Sequence, residues 1–275
     1  MPYEWPPLVP GDTDEVARRV AAVLDEAWGR LAAKQTAVLA AIVARWRLPY
    51  VLASLEEFKA SIEDFRRRVD AEATAFVTRQ LPHLYEQGAA RSEGVARQRF
   101  VWTLAHGDAL QSLAADSYED FLRRSQEAER MAAQWYRRAR GAARKEVPLL
   151  AAGARTGLQA ARQLAAELAG EGLTHVVYRN GARVPVRVWA EAATLAKSAV
   201  AYNTGTLNRA REIGVRRVEV FDGAGCGWST HRDPDTAAGT VRTVEEAALW
   251  PISHPRCRRS FGPRPDVERG EGLVS

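Results

Sequence analysis

Apolar residues recur at helical spacing through most of the first 170 positions. One stripe consists of Val16, Val20, Val23, Ala27 and Leu31, and a second of Phe58, Ile62, Phe65, Val69 and Phe76. This recurrence predicts amphipathic helices that each bury one face. Asp12 has a glutamate three residues later, as a capping box requires, and we expect this helix to run to about Arg47. Ser54 and Glu57 form the next such pair, so the second helix is predicted to begin there.

The pattern remains helical beyond the second stripe. Pro82 is expected to interrupt the second helix, because proline has no backbone N–H to donate. From Ser92 to Lys145 apolar residues alternate with charges at helical spacing, and Gly94 and Gly107 are the expected breaks. A further helix is predicted after Pro148, ending at Gly170 or Gly172.

At residue 174 the pattern changes from helical to mixed. Asn180-Gly181 lies between two β-rich arms, which predicts a hairpin with a type I′ turn. A helix is expected over about 187–213, with Gly214 at its C-terminal turn, followed by a short strand that ends near Asp222. Thr243 and Glu246 then have the spacing of another capping box.

These elements predict a mainly α protein. An elongated N-terminal helical region would be followed by a small α+β C-terminal domain that contains a β-hairpin. We expect an extended Pro-rich arm over 1–12, a helical region over 13–172, the α+β domain over 174–265 and a flexible tail over 266–275.

Composition restricts the class of protein. Hydrophobic residues make up 46% of the chain and include eight tryptophans, enough for a sizeable core. The net charge of +5 falls mainly after residue 178, where 15 basic side chains accompany 11 acidic ones. The first residues have neither the basic nor the apolar region of a secretory signal, and no apolar run is long enough to cross a bilayer. We therefore expect synthesis in a cytoplasm and no membrane partner.

Both cysteines and two of the five histidines fall within 32 residues near the C-terminus. Cys226 and His231 are five apart, and His254 and Cys257 are three apart. Thiolate and imidazole are the ligands that Zn²⁺ prefers, so these four residues are a candidate zinc site. Two alternatives stay open: the cysteines pack as small apolar residues while His254 caps a backbone group, or Cys226 and Cys257 form a disulfide.

Catalysis and nucleic-acid binding are further possibilities for the same region. The chain lacks a phosphate-binding loop, a nucleophile elbow and a His-Glu-x-x-His helix. A metal-dependent nuclease or toxin-like effector that uses the Cys/His cluster nevertheless remains an alternative. The nearby arginines are candidates for contact with DNA phosphates or a partner protein, and ion pairing within the chain is the competing interpretation. They are Arg256, Arg258, Arg259 and Arg264.

The order of motifs over residues 174–265 resembles the tailed-phage minor capsid, or head-morphogenesis, family. The matching features are a hairpin with Tyr178, Gly181 and Arg183, a helix that ends at Gly214, a strand from Val218 to Asp222, a turn with Cys226, and the closing segment His254-Pro255-Arg256-Cys257-Arg258. Many members have a second cysteine in the first turn and end in Cys-Arg-Cys. Here Ser229 and Arg259 stand near those places, so a site with four cysteines is excluded.

This resemblance implies a structural component of a virion, without enzymatic activity. Its expected location is the portal region and inner capsid, after assembly in the host cytoplasm. Its expected partners are the phage portal protein and the major capsid protein, with packaged DNA as a further candidate, and it would act as an oligomer within the virion during head assembly or DNA delivery. A basic DNA-binding packaging accessory is the remaining alternative.

Overall fold

A computed structural model describes residues 11–45, 47–96, 98–151, 157–169, 173–178, 180–222 and 237–267. Most of the predicted Pro-rich arm and of the predicted C-terminal tail falls outside these ranges. The described residues are mainly helical and include two small antiparallel sheets near the C-terminus, which confirms the predicted fold class. None of the helices in the described ranges has the length and apolarity needed to cross a membrane.

Helices make up the described part of the chain up to residue 169. They are α1 (Gly11–Arg45), α2 (Leu48–Ala75), a π-helical turn (Phe76–Gln80), α3 (Leu81–Ala90), α4 (Glu93–Ala96), α5 (Leu104–Ala151) and α6 (Gly157–Ala169). Pro82 lies in the first turn of α3, directly after the π-helical turn. Gln80 and Leu81 keep helical dihedrals, so the expected interruption is wrong and the helix continues through a π-helical distortion. Such a distortion is one way in which a helix accommodates a proline, which has no N–H to donate. Gly94 and Gly107, the expected breaks, lie inside α4 and α5, so those predictions are wrong.

Two of the predicted helix starts are also wrong. The second helix begins at Leu48 and not near Ser54, because Pro49 occupies its first turn, where a missing N–H costs nothing. α5 continues through Pro148 to Ala151, where the prediction placed a new start after the proline. Pro148 is only three residues from the end of α5, so few helical hydrogen bonds follow it.

Strands and helices alternate over the remaining described residues. They are β1 (His175–Val177), β2 (Arg183–Pro185), α7 (Val186–Glu212), β3 (Arg217–Phe221), β4 (Val241–Thr243), α8 (Val244–Leu249) and β5 (Ser260–Pro263). β1 and β2 pair as the predicted hairpin, whereas β3 lies between β4 and β5 in an antiparallel sheet. The sequence predicted β3 and the hairpin but neither of the strands that flank β3.

The hairpin turn differs in one respect from the prediction. Tyr178 N–H donates to the Ala182 carbonyl at 2.9 Å, and Gly181 N–H donates to the Tyr178 carbonyl at 2.9 Å. These bonds enclose a three-residue loop with Gly181 at φ 80°, instead of the two-residue type I′ loop. Glycine is favoured at such a left-handed position, because a Cβ atom would be strained there.

The predicted end of α7 is confirmed in detail. Val215 N–H donates to the Ala210 carbonyl at 2.9 Å, and Gly214 N–H donates to the Arg211 carbonyl at 3.1 Å. With Gly214 at φ 77°, these two bonds form a Schellman motif. The capping box at Thr243 and Glu246 is likewise present, at the start of α8.

Residue contacts group the chain into two compact units. One unit draws on residues 21–73 and 119–189, and the other on residues 1–20, 74–118 and 190–275. The domain boundaries predicted from the sequence stay a prediction.

Aromatic side chains form the core of the unit that contains residues 21–73 and 119–189. Trp28 packs edge-on against Phe65, with ring centroids 4.4 Å apart, and Phe58 packs against Trp135 at 4.7 Å. The Trp135 indole N–H donates to the Leu168 carbonyl at 2.8 Å. α1, α2, α5 and α6 therefore share one aromatic core, in which the buried indole N–H has a partner.

In the other unit, two glycines allow α3 and α7 to approach each other closely. A Cβ atom on Gly88 of α3 would lie 1.9 Å from the Tyr202 carbonyl oxygen of α7, and one on Gly205 would lie 2.1 Å from the Tyr85 carbonyl oxygen. Thr206 Oγ donates to the Gly88 carbonyl at 2.9 Å. The backbones of α3 and α7 are therefore in direct contact, which only glycine permits at these two positions.

The sheet covers the C-terminal end of α7. Val218 and Val220 of β3 are fully buried and face Leu207 and Ala210 of the helix, with Phe261 of β5 in the same cluster. Arg91, which follows α3, donates to the Phe261 carbonyl at 3.0 Å. α3, α7 and the sheet thus form one continuous core.

We expect Gly205→Ala to lower the free energy of unfolding by about 3 kcal/mol or more, because the added methyl group meets backbone that cannot move alone. Gly141→Ala is the matched control. Gly141 lies in α5, and a Cβ atom added there would have nothing within 4 Å. Since alanine favours a helix more than glycine does, Gly141→Ala should raise the free energy of unfolding by about 0.5–1 kcal/mol. Urea unfolding of both variants measures the difference, and equal stability of Gly205→Ala and the unsubstituted chain would contradict the contact.

Candidate functional site

The closing segment, His254 to Arg258, lies between α8 and β5. Cys257 N–H donates to the His254 carbonyl at 2.9 Å, which forms a turn. The chain then enters β5, where Phe261 pairs with Val220 of β3. This segment therefore connects the last helix to an edge strand of the sheet.

Half of the predicted zinc site falls within the described residues. Cys226 and His231 lie outside them, and His254 and Cys257 lie at the two ends of the turn. Cys257 is a free thiol, 5% exposed, and its sulfur accepts a hydrogen bond from Arg259 N–H at 3.4 Å. Over the described ranges, no group of three or more His, Cys, Asp or Glu side chains is placed to hold a metal ion. Zinc binding by the full set of four residues stays a prediction.

Three of the four candidate contact arginines are ion-paired within the chain. Arg258 lies 2.8 Å from an Asp14 carboxylate oxygen, and Arg264 lies 2.6 Å from Glu219. Arg264 also pairs with Asp266, which lowers the pKa of the Asp266 carboxyl. For these side chains the structure supports the internal ion pairing that the sequence left as an alternative. Arg256 is exposed.

Arg259 forms the most completely buried of these pairs. Its Nε and Nη2 donate to the two Asp222 carboxylate oxygens at 2.7 and 3.0 Å, and the side chains are 0% and 3% exposed. The Asn203 amide of α7 donates to the carbonyls of Pro251 and Arg259, at 2.6 and 2.9 Å. We call Asp222, Arg259 and Asn203 the closing latch, because they join the end of β3, the start of β5 and α7.

The geometry of the closing latch indicates a structural role. A bidentate guanidinium–carboxylate pair satisfies both charges, and a buried guanidinium has no surface to offer to phosphate.

A second buried polar cluster was not predicted from the sequence. His106 of α5 is 2% exposed, and its Nδ1 lies 2.8 Å from the Tyr85 hydroxyl of α3. Its Nε2 lies 3.1 Å from a Glu212 carboxylate oxygen at the end of α7. Asn208 donates to the Tyr85 oxygen at 2.9 Å. We call Tyr85, His106, Asn208, Arg209 and Glu212 the histidine network.

The histidine network has a defined order of donors. A carboxylate only accepts, so the His106 Nε2 carries a hydrogen toward Glu212. In the neutral ring Nδ1 then accepts the Tyr85 hydroxyl hydrogen, and the Tyr85 oxygen accepts from Asn208. Arg209 donates to the same Glu212 carboxylate, and Arg209 and His106 together lower the pKa of Glu212. Burial raises the pKa of Tyr85.

No local sequence signal marks this network. Tyr85, His106 and Glu212 come from three helices and are up to 127 positions apart, so their proximity depends on the contact between α3 and α7.

Comparison of the chain with protein-family models, with curated proteins and with solved structures finds no match.

We expect Arg259→Met to lower the free energy of unfolding by about 3–5 kcal/mol, because it leaves the Asp222 carboxylate buried without a partner. Arg256→Gln is the control from the same segment, and since Arg256 is exposed its effect should stay within about 0.5 kcal/mol. Urea unfolding measures both variants. Equal effects of the two substitutions would show that the buried pair does not stabilise the fold.

The histidine network predicts that the free energy of unfolding depends on pH through the ionisation of Glu212. Because the folded-state pKa of Glu212 lies below its ordinary value of 4.5, its contribution is present above that pH and is lost as the pH falls through the folded-state value. Glu212→Gln should therefore be less stable than the unsubstituted chain at neutral pH, by a difference that shrinks as the pH falls below 4.5. Exposed Glu63→Gln is the control, and a Glu212→Gln difference that stays constant with pH would contradict the assignment.

Proposed function

We propose that this chain is a structural minor capsid protein of a tailed phage or prophage. It would associate with the portal and the inner capsid and act in head assembly or DNA delivery. The ordered set of motifs over residues 174–265 supports this proposal, since that order, more than any single motif, resembles the head-morphogenesis family.

The observation that carries the proposal is the internal ion pairing of the arginines in and directly after the closing segment. A nuclease that worked through this segment would present cationic side chains to the substrate phosphate. Arg258, Arg259 and Arg264 instead pair with carboxylates of the same chain, and Arg259 is fully buried. A segment that closes a sheet in this way fits a structural component better than a catalytic one.

Retention by the portal protein is the direct test. We expect the purified chain to bind portal protein encoded by the same phage or prophage in a pull-down, with the major capsid protein as a second bait. Bovine serum albumin on the same resin is the negative control. Failure to bind either phage protein would overturn the proposal.

Plasmid cleavage tests the enzymatic alternative in the same preparation. We expect no nicking of supercoiled DNA with Mg²⁺ or Mn²⁺, by agarose gel. Cleavage that is lost in His254→Ala would instead assign a nuclease that depends on the closing segment.

A further inference from the structure

α5 has an exposed face that is entirely basic or neutral over four turns. The 16 residues from Arg130 to Lys145 contain six cationic side chains and no acidic one. The exposed positions in this stretch are Arg130, Gln134, Arg137, Arg138, Gly141, Arg144 and Lys145. Since residues seven apart return to nearly the same side of a helix, Arg130, Arg137 and Arg144 form a row with a spacing of about 10.5 Å. We call these seven positions the basic face.

The basic face differs from the other charged helix surfaces of the chain. Arg123, about two turns earlier in α5, pairs with Glu119 at 3.2 Å. On α2, Asp64 pairs with Arg67 and Arg68 at 3.2 and 2.7 Å. By contrast, no acidic residue stands three or four positions from Arg137 or Arg144 in the sequence. Acidic residues at helical pairing distance are therefore present on those two surfaces and absent around the middle and the end of the arginine row.

Two carboxylates reach the margins of the basic face. Glu146 lies 3.5 Å from the Lys145 ammonium, and Glu56 of α2 accepts the Tyr136 hydroxyl at 2.6 Å beside Arg140 and Arg144. Glu167 of α6 lines one cavity together with Lys145 and Glu146, so this compensation lies at the Lys145 end of the face. The positive field of the face therefore comes mainly from the row of Arg130, Arg137 and Arg144. Arg140 also stands three positions from Arg137 and four from Arg144, spacings at which like charges destabilise a helix.

We propose that the basic face binds the phosphate backbone of nucleic acid, independently of base sequence. Arginine guanidinium groups match phosphate geometry through paired hydrogen bonds, and four of the five exposed cations are arginines. The face extends for about 22 Å along the helix axis, which is long enough to meet several successive phosphates. Gly141 lies within the face with nothing within 4 Å of its would-be Cβ, so a strand can approach the helix backbone closely there.

The composition of the face favours nucleic acid over an acidic protein. Protein interfaces are centred on buried apolar or aromatic anchors, and the exposed positions from 130 to 145 offer none. Backbone contact with nucleic acid requires only repeated cations and tolerates polar neighbours. This inference does not depend on the proposed capsid function, although packaged DNA would be its natural ligand in a virion.

Salt-dependent binding of duplex DNA tests the proposal. Fluorescence anisotropy would follow the full chain with two 20-base-pair duplexes of unrelated sequence over a series of KCl concentrations. We expect equal affinity for both duplexes and a logarithmic salt slope of about −0.9 for each phosphate contacted. The triple variant Arg130→Gln, Arg137→Gln, Arg144→Gln should reduce that slope by about 2 to 3 and weaken binding at least about tenfold at low salt.

A second triple variant matches the change in charge away from the basic face. Arg66→Gln, Arg67→Gln, Arg123→Gln removes three exposed arginines from α2 and the earlier part of α5, and it should leave the slope nearly unchanged. Circular dichroism and thermal melting check that both variants fold. Absence of DNA binding at low salt, equal losses in both triple variants, or equally tight binding of a glutamate-rich peptide would each overturn the proposal. Portal binding without DNA binding would overturn this inference alone.

Discussion

The direct contact of α3 with α7 at Gly88 and Gly205 is the constraint on which the rest of its unit depends. Because each helix has a glycine at the crossing, the two backbones are in contact and the Thr206 hydroxyl donates to the Gly88 carbonyl. That closeness fixes Tyr85 beside the end of α7, where His106 and Asn208 complete its hydrogen bonds. It also brings Arg91 to the last strand of the sheet. The polar clusters of this unit therefore follow from one steric fit.

Arginine has two physical uses in this chain. Near the C-terminus its guanidinium groups close the fold, with Arg259 fully buried against Asp222 and Arg264 between Glu219 and Asp266. On α5 the arginines of the basic face lie exposed, and no acidic residue stands at helical pairing distance from Arg137 or Arg144. The sequence alone does not separate the two uses, because both appear as clusters of arginine. Burial and the identity of the partner separate them.

The parts of the fold that depend on local chemistry were predictable from the sequence. The Schellman motif at Gly214, the capping box at Thr243 and the hairpin at Gly181 each follow from residues adjacent in the chain. β4 and β5 were missed, because each is only three or four residues long and is stabilised by pairing with β3. The boundary errors arose at Pro49 and Pro148. Pro49 lies in a first turn, where no N–H is needed, and Pro148 lies in the last turn of α5, where the loss of its N–H affects only the end of the helix.

The sequence predicted where the candidate site lies along the chain but not the contacts that its side chains make. The sequence indicated the closing segment, but whether Arg259 faces solvent or Asp222 is decided by a carboxylate 37 positions earlier. The histidine network had no signal at all, since its members are polar residues on otherwise ordinary helices. Buried polar pairs of this kind depend on tertiary packing, which spacing along the chain does not encode.

The separation of Gly88 and Gly205 along the chain affects how the protein can be divided. A fragment that begins at residue 174 contains α7 and the sheet but lacks α3, so it would expose the glycine-lined surface around Gly205 and the Phe261 carbonyl that Arg91 covers. The complementary fragment retains Tyr85 and His106 without Asn208 or Glu212. Two pieces divided between α6 and β1 would consequently still share the contact of α3 with α7.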